Sequence, residues 1–178
     1  MFKNLKADIG RYRKNSSGGF HKSDLYLFFE QGIWAIIVYR FGRWVREIPV
    51  PVISHVLKFT AFLSFKWIEI TTGISLPASA RIGRGLYIGH FGGIIVHSDV
   101  KMGENCSMGP GVIIGTRGLG NAGVPIIGDN VYIGAGAKIL GGITIGNNVK
   151  IGANAVVLSD VSQAATVVGI PAGIIKKE

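Results

Sequence analysis

The sequence predicts a mainly β chain: short parallel strands wound into stacked triangular coils, preceded by an α-helical region. Three observations carry this. Aliphatic residues recur every six positions at Ile127, Ile133, Ile139, Ile145, Ile151 and Val157. Four positions after each comes a small or β-branched residue, at Val131, Ala137, Ile143, Val149, Ala155 and Val161. The composition also changes near Gly73: residues 1–73 hold 14 of the 17 aromatics and 6 of the 27 glycines. Residues 1–73 are accordingly read as a helical region and 74–178 as the coiled domain.

The first element, residues 1–14, is short, polar and basic. Asn15-Ser-Ser-Gly-Gly19 reads as a flexible break. Ser23 or Asp24 is placed to cap a helix running from Leu25 to about Arg46, which Pro49 and Pro51 end. A second helix is expected from Val52 to Ile70, closed by Gly73. Neither reads as a membrane span: the longest uncharged stretch, Ile48 to Leu57, has 10 residues, and a span needs about 20. Arg40, Arg43, Arg46, Lys58 and Lys66 instead interrupt apolar faces. Two readings stay open for them. The helices pack on the rest of the protein or on a partner subunit, or they form a basic, aromatic surface on an anionic leaflet.

From Leu76 onward the period is six. A helix shows 3.6 and a half-buried strand shows two, so six fits neither. It fits a short strand plus a turn. Three such units close a coil of about 18 residues, and stacked coils bury a column of Ile and Val. The frame starts at Leu76, Ile82 and Ile88 and returns two residues out of step at Val96, Met102, Met108 and Ile114. Residues 115–126 break the count again and read as a loop off the coil.

Composition narrows the function class. The chain is 48% hydrophobic and 16% charged, which excludes a disordered charged tail. The lone Cys106 excludes a disulfide framework and Cys-based metal sites. Net charge is +9, carried mainly by residues 1–73 with 11 Lys/Arg against 5 Asp/Glu. Nucleic-acid binding is disfavoured, because the charge is dispersed and the repeat lacks interleaved aromatics for base stacking. No cleavable secretory signal is visible, so a cytoplasmic location is expected, with the inner membrane face as a peripheral site.

Particular stretches carry a resemblance: Ile82-Gly-Arg-Gly85, Gly89-His90-Phe-Gly-Gly-Ile-Ile-Val96, Ile133-Gly-Ala-Gly-Ala-Lys-Ile-Leu-Gly141, Lys150-Ile-Gly-Ala153 and Gly169-Ile-Pro-Ala172. Residues 74–175 resemble the hexapeptide-repeat acyltransferases, and within them the serine acetyltransferase branch. The resemblance implies a left-handed parallel β-helix, a homotrimer with active sites between neighbouring coils, and acetyl-CoA as co-substrate. It implies His90 as the base that takes a hydroxyl proton, a task suited to imidazole. It places the acyl donor at Gly115, Ala135, Lys150, Ala153 and Pro171, with the Gly115 N–H a weaker candidate for the oxyanion. Lys150 suits a CoA phosphate. His97, at the frame slip, and Arg117 and Asn121, on the loop, are candidates for the acceptor. His21 and His55 carry no motif. Two repeat-region histidines without a third, and no well-spaced carboxylate, predict no metal.

The pattern departs from the serine enzymes. The carboxylate that orients their catalytic His falls at Ser75, the Asp before it at Gly89, and their Arg-His pair at Gly123 and Val124. A free amino acid would miss its charge partners there. The expectation is therefore an O-acetyltransferase acting on a sugar hydroxyl in capsule, exopolysaccharide or O-antigen synthesis, on a free or lipid-linked saccharide. Serine O-acetylation is the alternative, and a non-catalytic β-helix used for assembly is the reading from another class.

Overall fold

The computed structural model describes residues 2–15, 27–49, 51–118 and 123–177. Three helices precede the strands: α1 (Phe2–Asn15), α2 (Gln31–Val45) and α3 (Pro51–Thr72). Two differ from expectation. Residues 1–14 were read only as a polar segment, yet 2–15 form α1. Its local sequence is basic and weakly patterned, and what holds it is the burial of Asp8 and Tyr12 against distant strands. The second difference is that α2 starts at Gln31 rather than Leu25. Leu27 is helical, Phe28 and Phe29 form a turn closed by Glu30 N–H donating to the Leu27 carbonyl at 3.3 Å, and Glu30 is extended (φ −82°, ψ 105°). The expected caps Ser23 and Asp24, and the break beyond Asn15, lie outside the described residues. Gly73 closes α3 in the left-handed region (φ 66°), its N–H donating to the Glu69 carbonyl at 3.0 Å, a conformation that costs glycine little.

Two-to-five-residue strands then wind through five coils. The first holds β1 (Ile74–Ser75), β2 (Arg81–Ile82) and β3 (Tyr87–Ile88). The second holds β4 (Ile94–Val96), β5 (Lys101–Met102) and β6 (Ser107–Met108). The third holds β7 (Ile113–Gly115), β8 (Ile126–Ile127) and β9 (Tyr132–Ile133), and the fourth β10 (Lys138–Leu140), β11 (Thr144–Ile145) and β12 (Lys150–Ile151). The fifth has β13 (Val156–Val157), a single bridge from Val161 to Ile145, and β14 (Ala165–Val168). Last comes β15 (Gly173–Lys177), antiparallel to β14. The strands form three faces, ordered β1-β4-β7-β10-β13, β2-β5-β8-β11 and β3-β6-β9-β12-β14-β15, with every pairing but the last parallel.

Register explains the frame. Where hexads run unbroken, partners are 18 residues apart, as in Ile127 with Ile145. Ile74 pairs with Ile94, 20 apart, so the corner between β3 and β4 carries two extra residues. Ile114 pairs with Ile139, 25 apart, which accommodates the loop after β7. The column of Ile88, Ile94, Ile114, Ile133, Ile139, Ile145 and Ile151 is fully buried, and so are the small residues Ala137 and Ala155 that alternate with it. At the corner between the second and third faces, Asn105, Asn130 and Asn148 share φ values of 56–59°. Asn tolerates that left-handed turn better than most side chains.

The first coil has no coil beneath it, and helix side chains take that place. The Tyr39 hydroxyl donates to the Ala80 carbonyl and accepts from the Ile82 N–H, both at 2.9 Å. The Tyr12 hydroxyl does the same at Ile88, at 2.9 and 3.1 Å. Arg40 donates to the carbonyls of Ile82 (2.8 Å) and Gly83 (2.6 Å) and pairs with Asp8 at 2.8 Å. The Asp8 carboxylate also accepts from the Leu86 N–H at 2.9 Å. Asp8 and Arg40 are both buried. Gly32 lets α2 approach this edge, since a Cβ there would lie 2.5 Å from the Tyr12 hydroxyl.

Arg40→Met should lower stability to urea unfolding by about 3–5 kcal/mol, because it leaves Asp8 buried without its cation. Cys106 provides a second check: burial pushes its thiol from 9.0 up to about 11. The unfolded chain therefore releases this proton first as pH rises. The Cys106 contribution to stability is whole below about pH 9 and is lost towards pH 11. Cys106→Ser should flatten that part of the stability–pH curve.

Candidate active site

The lengthened corner, Gly89–Gly93, places His90 on the outside of the coil, with its side chain exposed. Continuing the strand registers, His90 is level with Pro110, Ala135, Ala153 and Gly169 in the four following coils. The backbone confirms the ladder: Gly136 N–H donates to the Pro110 carbonyl at 2.7 Å, and Asn154 N–H to the Ala135 carbonyl at 2.8 Å. With strands about 4.8 Å apart, this edge runs roughly 19 Å from His90 to Gly169. Ala135 and Ala153 are exposed along it, and Pro171 lies just past its far end. Small residues are demanded underneath: a Cβ on Gly109 or Gly134 would come within 2.7 Å of the Ala135 or Ala153 backbone nitrogen. Lys150 is exposed on β12, three residues before Ala153.

The other candidates occupy a different edge. His97 and Gly115 follow one another at the far end of the first face, where a Cβ on Gly115 would lie 3.7 Å from the His97 Cβ. The four residue steps from Gly111 to Gly115 separate the two edges by about 13 Å. His97 is turned onto its own corner, its Nδ1 accepting the Asp99 N–H at 3.2 Å with the Asp99 carboxylate 3.9 Å away. Arg117 is exposed on the loop leaving Gly115, and Asn121 lies outside the described residues. One chain therefore unites His90, Ala135, Lys150, Ala153 and Pro171, and keeps Gly115, His97 and Arg117 apart from them.

Glu69 was not foreseen. Its carboxylate accepts a 2.6 Å hydrogen bond from Lys66, which, with a smaller contribution from the nearby Ser75 hydroxyl, holds it below the usual carboxylate range. A carboxylate thus stands beside Ser75, contributed by α3 rather than by the coil. Its only sequence signal was its place in the last turn of a helix leading into β1. Close packing brings this region to the His90 corner, since a Cβ on Gly73 would lie 3.1 Å from the Gly93 nitrogen. Gly123 and Val124 carry no polar side chain, and Val124 packs against the core. Among the described residues, no group of three or more His, Cys, Asp or Glu is placed to hold a metal ion.

Residues 125–159 match the family described as bacterial transferase hexapeptide (six repeats). A serine acetyltransferase of Synechococcus elongatus is 34% identical over 176 residues, covering 98% of this chain and 69% of that protein. One of Helicobacter pylori is 33% identical over 175 residues, covering 98% of both. The chain belongs to the serine acetyltransferase family. The solved serine acetyltransferase of Brucella abortus in complex with coenzyme A superposes with a TM-score of 0.85 at 30% identity, over 99% of this chain and 68% of that one.

Family membership makes the coils a left-handed β-helix and the chain an acyltransferase that uses acetyl-CoA. It also overturns the expected sugar acceptor and its place in polysaccharide synthesis. The relatives that match nearly the whole chain are serine acetyltransferases. That expectation weighed only the positions at Ser75, Gly89, Gly123 and Val124. It left out Glu69, contributed by α3, and assigned Arg117, six residues before Gly123 on the same loop, to sugar hydroxyls rather than to a carboxylate.

Replacing Lys66 by Ala removes the main partner of Glu69, so the Glu69 titration midpoint should rise towards that of an ordinary glutamate, as followed by carboxyl NMR shifts.

Proposed function

We propose that the chain transfers the acetyl group of acetyl-CoA to the hydroxyl of serine, with His90 as general base. The observation that carries this reading is the exposed His90 at the head of a small-residue edge, in a chain whose relatives are serine acetyltransferases over nearly their whole match. His90 takes the hydroxyl proton as the oxygen attacks the thioester carbonyl. The tetrahedral intermediate then collapses with release of the CoA thiol, which recovers the proton. The amide-rich pantetheine arm lies along Ala135 and Ala153, where an extended chain can meet exposed backbone. Lys150 serves a phosphate, and Pro171 borders the far end.

Glu69, through Ser75, is the positioning group that stands in for the carboxylate absent from Ser75 itself. Arg117 has no acidic partner among the described residues, and its guanidinium suits the serine carboxylate. The assembly we propose is a homotrimer. It would set the Gly115 and Arg117 edge of one copy against the His90 edge of the next, closing a gap that a single chain leaves open.

His90→Ala should reduce kcat by about 10²–10⁴-fold with unchanged melting temperature, measured as CoA thiol released from acetyl-CoA in the presence of serine. No serine-dependent thiol release by the parent protein would refute the acceptor. Arg117→Ala should raise the KM for serine while leaving that for acetyl-CoA in place. Sedimentation equilibrium should return the mass of three chains, and a monomer with full activity would remove the shared site.

A further inference from the structure

The helical region leaves a large apolar surface uncovered. On α3, Val56, Phe59, Leu63, Trp67 and Ile70 recur at helical spacing and are 51–81% exposed. On α2, Trp34, Ile37 and Trp44 are each about two-fifths exposed, on the side towards α1 rather than in the groove beside α3. Contiguous apolar surface of this kind marks a contact with something else. A groove of about 320 Å³ runs between the two helices, lined by Val45, Phe62, Phe65 and Leu76 together with the cations Arg46 and Lys58. Phe62 is 55% exposed, so it belongs both to the groove and to the outer surface. Neither Arg46 nor Lys58 has an acidic partner among the described residues.

We propose that this face of α2 and α3 docks on an anionic phospholipid bilayer. The aromatic stripe would rest at the headgroup–acyl boundary, and lipid phosphates would meet Arg46 and Lys58. Charge selects this occupant over a two-fold pairing with a second copy of the chain. A two-fold pairing brings the same patch of both copies together, which would desolvate four unpaired cations against one another. A bilayer rich in acidic lipid supplies the missing countercharge. Trp and Phe, abundant here, favour the interface between water and hydrocarbon. The contact is peripheral, because no described helix is long and apolar enough to cross a membrane. This docking does not depend on the identity of the acetyl acceptor.

The test is co-sedimentation of the full chain with phosphatidylcholine vesicles, with and without phosphatidylglycerol. Pelleting should require phosphatidylglycerol and weaken as salt is added. The double change Arg46→Gln with Lys58→Gln should weaken it by about thirtyfold, and Phe59→Ser with Trp67→Ser should abolish it. Both variants should keep the parent's melting temperature and its acetyl transfer in solution. Equal binding to neutral vesicles, absence of pelleting, or binding untouched by both variants would overturn the proposal. It would equally be overturned if Phe59→Ser with Trp67→Ser split the protein into smaller species in sedimentation velocity, since the stripe would then be a contact between copies.

Discussion

A stack of parallel coils must end somewhere, and at its end one layer of backbone has no neighbour. The rest of this molecule depends on how that layer is satisfied. Two tyrosine hydroxyls, at Tyr12 and Tyr39, each give one hydrogen bond and receive one, as a residue of a missing strand would. Arg40 and Asp8 serve two further carbonyls and an N–H while neutralising one another, and Arg11 donates to the Gly85 carbonyl. Burying such a pair is costly unless every donor and acceptor is used, and among the described residues no buried side-chain polar atom lacks a partner. The helical region is therefore the floor of the β-helix, and the first coil, which leads into His90, is held by it.

The chemistry lies where the repeat is broken. Hexads make a rigid prism whose inward column is apolar throughout, so it offers no group for catalysis. The two-residue excess between β3 and β4 pushes an imidazole outward, and the excess after β7 throws out a loop with a guanidinium. Loops held by a stiff scaffold combine precise placement with freedom to vary.

The same division explains what could be read from the sequence. The solenoid was legible because each hexad reports its own burial within a few residues. His90 was singled out by the resemblance carried by Gly89-His90-Phe-Gly-Gly93, while the frame slip drew attention to His97 instead. α1 was illegible: its helix is stabilised by Leu86 and Ile88, more than seventy residues away. Glu69 was missed because it approaches Ser75 from a helix outside the repeat. The separation of Gly115 and His97 from His90 could not be read either, because the hexad count gives the sequence of corners but not which corners face one solvent gap. The acceptor was misjudged for a related reason: four positions, Ser75, Gly89, Gly123 and Val124, were weighed without a carboxylate, Glu69, that a neighbouring helix contributes.

At the other extremity the chain reverses. β15 runs back along β14 as the one antiparallel neighbour in an otherwise parallel array, and residues 169–172 fold over β13, where Ala172 N–H donates to the Val156 carbonyl at 2.8 Å. On the third face an incoming coil would meet an antiparallel strand, and on the first the turn over β13, in place of the parallel partners it needs. Those two edges are thereby guarded against adding further molecules end to end into fibres.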